Sequence, residues 1–268
     1  MPHGGLDHLF GRAAFEPYTG KWWRLTFAGL YLGLAAFVVA GWLLIPALTV
    51  VLFFLVSAYH FAHADGRSGL LGLVEGGAVI WLPMLARPAD VAGLLAWVMP
   101  GGNQADVLSV FDQLVPFLWI LAAVYSAQIV LLIARAVTAN SMVCVADAVR
   151  LILFAAVFAL LPVLVSFGLF FCGWHSTREL ATLARRVDVA QPWRGFRRVI
   201  LLAAPRAGVS VVATAIAAWW FAAGREVTPV VVQAVFLGLS AVAVPHILLH
   251  AFAEYLGADP FAPAGVPA

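Results

Sequence analysis

Charge is the scarcest commodity in this chain. Asp, Glu, Lys and Arg make up 10% of its 268 residues, against about 25% in a soluble globular domain. That excludes an ordinary water-soluble fold. A formal net charge of +2 supplies no basic surface for nucleic acid. Cysteine is nearly absent. Cys144 and Cys172 lie far apart among apolar neighbours, which excludes a disulfide framework or a CxxC redox pair and predicts two packed thiols. The opening MPHGGLDH has no apolar core of a cleavable signal peptide. Missing too are a phosphate-cradling glycine loop, a GxSxG elbow and an HExxH helix.

What the chain has instead is long apolar runs. Hydrophobic residues are 64% of the total and the mean hydropathy is +1.00. A spanning helix needs about 20 mostly apolar residues, and continuous runs argue against the alternating pattern of a membrane β-barrel. The expected fold is all-α, a polytopic transmembrane bundle forming one integral-membrane domain over residues 1–268. Eight spans are predicted, near Leu25–Ile45, Ala47–Ala64, Gly69–Leu85, Val115–Ala134, Ala146–Pro162, Val163–Leu183, Leu201–Ala222 and Pro229–Leu256. Pro46 and Pro162 mark tight turns, and the short apolar patch Val91–Met99 suits a re-entrant or interfacial segment. With eight spans, all but Arg87 and Arg225 of the 15 basic residues fall on one face. The positive-inside rule then predicts a cytoplasmic N-terminus in the cell's inner (plasma) membrane.

The same face collects the histidines. His3 and His8 precede the first span, His60 and His63 close the second, His175 lies in the sixth, and His246 and His250 in the eighth. Neutral imidazole is a common ligand for iron, copper and zinc. The stretch VSFGLFFCGWHSTRELATLARR (residues 165–186) carries His175, Arg178 and Glu179 into an apolar helix, where polar groups are costly and mark function. His175 and Glu179 at i, i+4 share a face and could bind one metal; the alternative is a structural pair. His3 and Asp7 have the same spacing, and Asp7 could hold a metal-bound imidazole by its second N–H; the alternative is a solvated N-terminus. His60, His63 and Asp65 form either an inward-facing donor set or an interfacial cap. His246, following Pro245 at a predicted kink, could be a ligand, an outer hydrogen-bond partner or a packed residue, and His250 is expected at the interface. Glu75 is expected near solvent, and Gly76–Pro83 (GGAVIWLP) as close helix packing with a kink. The residues alone point to a metal site near aromatics such as Phe61, Trp81, Phe170, Phe171 and Trp174, suited to non-haem iron and oxygen chemistry on a lipid-soluble substrate.

Four segments in order resemble the Brp/Blh family of membrane β-carotene 15,15'-dioxygenases. PHGGLDH is similar to its PHGALDH, YHFAHAD to its HFGxxD, FFCGWHSTRE to its FCxxHSxRH, and VFLGLSAVAVPHILL to its VFIGLAxxxVPHM. VEGGAVIWLP falls where the family has a Gly-Gly…Trp-Leu-Pro segment. The resemblance implies cleavage of the central double bond of β-carotene, or a related carotenoid, by O2 to give retinal, with Fe(II) as cofactor and the lipid bilayer as setting. It implies metal-ligand roles for His3, His60 and His175, and motif roles for Asp7, Asp65 and His246. A retinal-binding rhodopsin is an implied functional partner.

Two positions depart from the family pattern. Glu179 stands where the family has a histidine; a carboxylate can still bind Fe(II), or His246 or His63 can supply the ligand. Family members also carry an apolar helix before PHG, which predicts a further N-terminal span missing from this sequence. Two alternatives compete with the dioxygenase: a di-iron hydroxylase or desaturase, and a non-enzymatic haem- or carotenoid-binding membrane protein.

Overall fold

The apolar runs become helices, in which a backbone satisfies its own N–H and C=O groups, as a span in hydrocarbon would require. A computed structural model describes residues 3–64, 66, 69–99, 104–188, 190–221 and 227–261, and among these no strand occurs. A 3₁₀ turn, His3–Leu6, leads into α1 (Asp7–Thr19). It is followed by α2 (Trp23–Leu44), α3 (Pro46–Ala64), α4 (Gly69–Gly76), α5 (Ala78–Ala86), α6 (Pro88–Val98), α7 (Gln104–Thr138), α8 (Met142–Leu160) and α9 (Val163–Gly168). A π-helical stretch, Leu169–His175, joins α9 to α10 (Ser176–Val187); α11 (Pro192–Phe221) and α12 (Val227–Tyr255) complete the order. The turns at Pro46 and Pro162 fall where expected, since proline opens a helix easily and disfavours helical geometry before it.

Five helices among the described residues are long and apolar enough to cross a membrane: Gly4–Leu44, Pro46–Ala64, Gln104–Thr138, Met142–Leu160 and Thr228–Tyr255. The pair α4–α5, bent by 57°, makes a sixth if counted as one span. Eight were expected. The shortfall comes from two places. The expected sixth span runs on as one helical segment, from α9 through the π stretch into α10. The last of these buries Leu180, Leu183 and Ala184 on one face and carries Arg178, Glu179, Arg185 and Arg186, the pattern of an interfacial helix. The expected seventh falls in α11, several of whose side chains lie outside the described residues. α6 is a short apolar helix of 11 residues, in line with a segment too short to span. Large apolar side chains on α2 and α7 point outward, including Phe37, Leu44, Phe117 and Trp119, which is consistent with a membrane protein.

The chain packs as two units, residues 1–49 with 176–268, and residues 50–175. In the first, Leu6, Phe10 and Ala14 of the N-terminal segment pack with Leu180, Leu183, Val199, Ala203, Leu249 and Ala253. Gly4 onward is therefore ordered core rather than a solvated tail. Gly5 allows this: a β-carbon there would lie 2.5 Å from the carbonyl oxygen of Ala203.

In the second unit the kink at Gly76-Gly77 is realised. A β-carbon on Gly76 would meet the Ala58 carbonyl oxygen and the Ala62 nitrogen, each at 2.5 Å, so glycine lets α4 lie against the backbone of α3. The indole of Trp81 donates to the Val74 carbonyl (2.9 Å), satisfying a backbone acceptor beside the break. Glu75, expected near solvent, is mostly withdrawn from it: Arg150 Nη2 donates to its carboxylate at 2.8 Å, and their side chains are 8% (Arg150) and 9% (Glu75) exposed. A charge at that depth is held because it is paired. Cys172 is exposed rather than packed.

Candidate functional site

The second unit brings together two of the histidines that the sequence marks. His60 lies near the end of α3, and His175 ends the π-helical stretch and is 3% exposed. π-helical turns insert an extra residue and recur at functional sites; here Phe170, Phe171 and His175 are all buried within the stretch. The rings of His60 and His175 have centroids 5.1 Å apart and meet nearly edge to face, at 72°. Phe61 sits edge-on to His175 at 4.9 Å, and Phe171 stacks on it at 5.7 Å. Phe61 and Phe170 meet edge to face at 5.1 Å. The π-helical stretch thus helps to build an aromatic lining around two imidazoles.

The spacing of this pair is compatible with a shared metal ion. With a metal–nitrogen bond of about 2.1 Å, two imidazoles on one ion have ring centres roughly 4.5–5.5 Å apart. The observed separation falls in that span, and imidazole suits Fe, Cu and Zn alike.

The first unit brings together Asp7, His246 and His250. Asp7 opens α1 and is 4% exposed; His246 is 2% exposed. His246 Nδ1–H donates to Asp7 Oδ1 at 2.6 Å. The other carboxylate oxygen accepts from the Tyr31 hydroxyl at 2.8 Å, which also stands 3.2 Å from the Val242 carbonyl. His250 Nε2 lies 3.4 Å from Asp7 Oδ1, and its ring centroid is 4.3 Å from that of His246. One donor atom from each of the three residues falls within 4.8 Å of the others, so this group too could hold a cation. A metal on the same Nδ1 would replace the 2.6 Å bond. As it stands, the carboxylate fixes the tautomer of His246, the arrangement that orients ligating histidines in metal proteins.

Other marked positions are less fully described. The backbone of His3 opens the 3₁₀ turn, and its side chain lies outside the described residues, as does Asp65. Glu179 is half-buried in the first turn of α10. His63 stacks on Tyr59 with centroids 6.0 Å apart. The residue that sequence reasoning missed is His250, expected at the interface but turned toward Asp7. Its signal was the i, i+4 spacing from His246, which places both rings on one helix face.

A family model described as beta-carotene 15,15'-dioxygenase matches residues 1–254. A probable beta-carotene 15,15'-dioxygenase, Blh, from Halobacterium salinarum is 29% identical over 201 residues, 68% of this chain and 57% of that protein. The chain thus spans little more than half the length of this curated relative. No solved structure matches.

Proposed function

Because the chain belongs to the β-carotene 15,15'-dioxygenase family, we propose that it cleaves the central double bond of β-carotene with O2. Both oxygen atoms end in aldehydes, giving two retinal molecules and consuming no reductant. The observation that carries this reading is the His60–His175 ring pair inside an aromatic lining. A pair of imidazoles in apolar surroundings suits a redox metal acting on a hydrocarbon.

The proposed metal is Fe(II), with His60 and His175 as ligands. His3 and Glu179 are proposed as further ligands on the motif resemblance alone. When bound, the iron supplies the electron chemistry that lets O2 attack a closed-shell alkene. The chain's part is to hold donors, exclude water and keep the polyene in register. Phe61, Phe170 and Phe171 crowd His175 and disfavour water there. Asp7, by accepting the Nδ1–H of His246, is proposed to orient that ring, and Asp65 to play a similar outer role. The setting is the inner membrane, with a cytoplasmic N-terminus and carotenoid entering from lipid. A retinal-binding rhodopsin is the natural recipient of the product.

Expression in a bacterium that makes β-carotene tests the proposal. Bleached membranes containing retinal, with one iron per purified chain, are the expected result. Orange membranes without retinal, despite folded iron-containing protein, would reject it. Two metals per chain would favour a di-iron hydroxylase, and a Soret band a haem protein. Glu179→His, which restores the family pattern, is expected to retain cleavage and iron.

A further inference from the structure

We propose that Arg150 is a positioning residue for the His60–His175 pair: bonded to Glu75, it locks α8 to α4, and these two helices support the segments that carry the two imidazoles. This rests on the reading of that pair as metal ligands and adds what sets their spacing.

Arg150 lies midway along α8, and every residue after it in that helix is apolar. An arginine in such a helix is costly unless it is paired. Its Nη2 donates to Glu75 Oε2 at 2.8 Å, and its Nε stands 3.6 Å from Asp147 Oδ1, one turn back on the same helix. The guanidinium is planar and its donors form a rigid fork, so two carboxylates fix its orientation. Replacing a buried ion pair by apolar residues is often neutral or even stabilising. Stability therefore gives little account of this pair, whereas a directional bond between two helices supplies geometry.

From the pair two arms lead to the two histidines, all within the second unit. On the α4 side Glu75 adjoins Gly76, which lies so close to α3 that a β-carbon would meet the Ala58 carbonyl oxygen and the Ala62 nitrogen. Those two residues bracket His60. On the α8 side the guanidinium lies over the Phe154 ring, 5.9 Å from its centroid. Phe154 meets Phe170 and Trp174 edge to face, each at 5.4 Å. Trp174 directly precedes His175. Phe170, five residues before His175, stacks with its imidazole at 6.4 Å. A π-helix bonds i to i+5, so that spacing brings both rings to one side of the stretch.

The arms meet again at Phe61, next to His60, which packs against both Phe170 and His175. The Arg150–Glu75 bond thus closes a ring of contacts that contains the His60–His175 spacing. Opening it frees α8 and the π stretch to shift against α3. A misplacement of about 1 Å can cost roughly 100-fold in rate.

Cobalt(II), whose visible absorption reports ligand geometry, is the probe for purified full-length protein in detergent. The wild type is expected to bind it with a spectrum that His175→Gln abolishes. Glu75→Gln combined with Arg150→Met removes both charges and nearly keeps volume, so the fold is expected to survive. This paired variant should bind cobalt roughly 10–100-fold more weakly, as when a partner that orients a ligand is lost, and with an altered spectrum. With iron, its kcat should fall while KM for β-carotene stays unchanged. Leu95→Ala, a core truncation in α6, is the control: it should lower the unfolding temperature and leave cobalt affinity and spectrum as in the wild type. Wild-type affinity and spectrum in the paired variant would overturn the proposal. So would an equal change in Leu95→Ala, which would make the effect one of general stability. Where the paired variant does not fold, Arg150→Lys decides: it keeps the charge but not the fork, and cobalt binding equal to that of the wild type would overturn the proposal. A wild-type spectrum that ignores His175→Gln would do the same. The expected cobalt responses, with no retinal from the wild type, would uphold the positioning role and defeat only the cleavage reading.

Discussion

The two histidine groupings differ in what surrounds the imidazoles. In the second unit His60 and His175 meet ring against ring among Phe61, Phe170 and Phe171. In the first, His246 and His250 converge on one buried carboxylate, which a tyrosine also bonds. Phenyl rings offer no acceptor to a ring nitrogen, so an aromatic environment is compatible with imidazoles that bind a metal. A carboxylate that accepts an Nδ1–H fixes tautomer and orientation, so the carboxylate environment suits a supporting role. The same residue type thus meets two different environments.

The sharpest way to break this contrast is to remove a ring from each side. His175→Ala is expected to reduce retinal formation by more than the roughly 100-fold that loss of an outer partner costs, and to lower iron content. Because His175 is buried, His175→Gln serves as a companion that preserves volume. Product by chromatography and metal analysis of the same preparations check the outcome. Retention of both iron and cleavage would remove the pair from the centre of the reaction.

Asp7→Asn should cost less, roughly 10–100-fold in metal affinity or activity, if Asp7 acts through His246. The amide can still accept from Nδ1–H, but without the charge that strengthens the bond. Iron titration of the variant reads the effect. A loss as deep as that of His175→Ala would instead make Asp7 a ligand, and the contrast between the groupings would collapse.

Much of this organisation was legible in local sequence, and what was not is non-local. Prolines and paired glycines act on their own backbone, so Pro46, Pro162 and the Gly76-Gly77 break could be read directly. The chemistry of Asp7 was legible as a carboxylate able to hold an imidazole, but its partner His246 lies 239 residues away. Glu75 was misread for the same reason: the cation that pairs with it, Arg150, is 75 positions on. The expected sixth span is not among the long apolar helices, because a count of apolar residues does not register where along the run the charges begin. The count passed over the change at Ser176 from an apolar π stretch to a helix with one charged face. The aromatic lining of His175 depends on the π register, which no simple period of the sequence signals.

Close glycine packing offers a matched pair, one in each unit. Gly76→Ala and Gly5→Ala each place a β-carbon 2.5 Å from a backbone oxygen, and overpacking of this kind costs about 1–3 kcal/mol. Gly33, where an added β-carbon would meet nothing within 4 Å, is the control: alanine there should gain about 0.5–1 kcal/mol from helix propensity. Thermal unfolding in one detergent compares the three. Because Gly76 lies against the helix that carries His60, Gly76→Ala should also weaken iron retention relative to Gly33→Ala. Iron retention in Gly76→Ala equal to that in Gly33→Ala would deny that the α3–α4 contact positions His60.

The smallest effect compares two buried tyrosines. In the first unit the Tyr31 hydroxyl donates to the Asp7 carboxylate at 2.8 Å. In the second the Tyr125 hydroxyl donates to the Leu151 carbonyl at 2.9 Å. Phenylalanine at either site removes one hydroxyl and little else, so the difference reports the acceptor. A hydrogen bond to a charged group is worth about 1.5–3 kcal/mol and a neutral one about 0.5–1.5 kcal/mol. Tyr31→Phe should therefore destabilise by about 1 kcal/mol more than Tyr125→Phe, read as the gap between their unfolding free energies in the same detergent. Two equal values would mean that Asp7 does not carry its charge when bonded to Tyr31, and that His246 is held by a neutral acid rather than by a carboxylate.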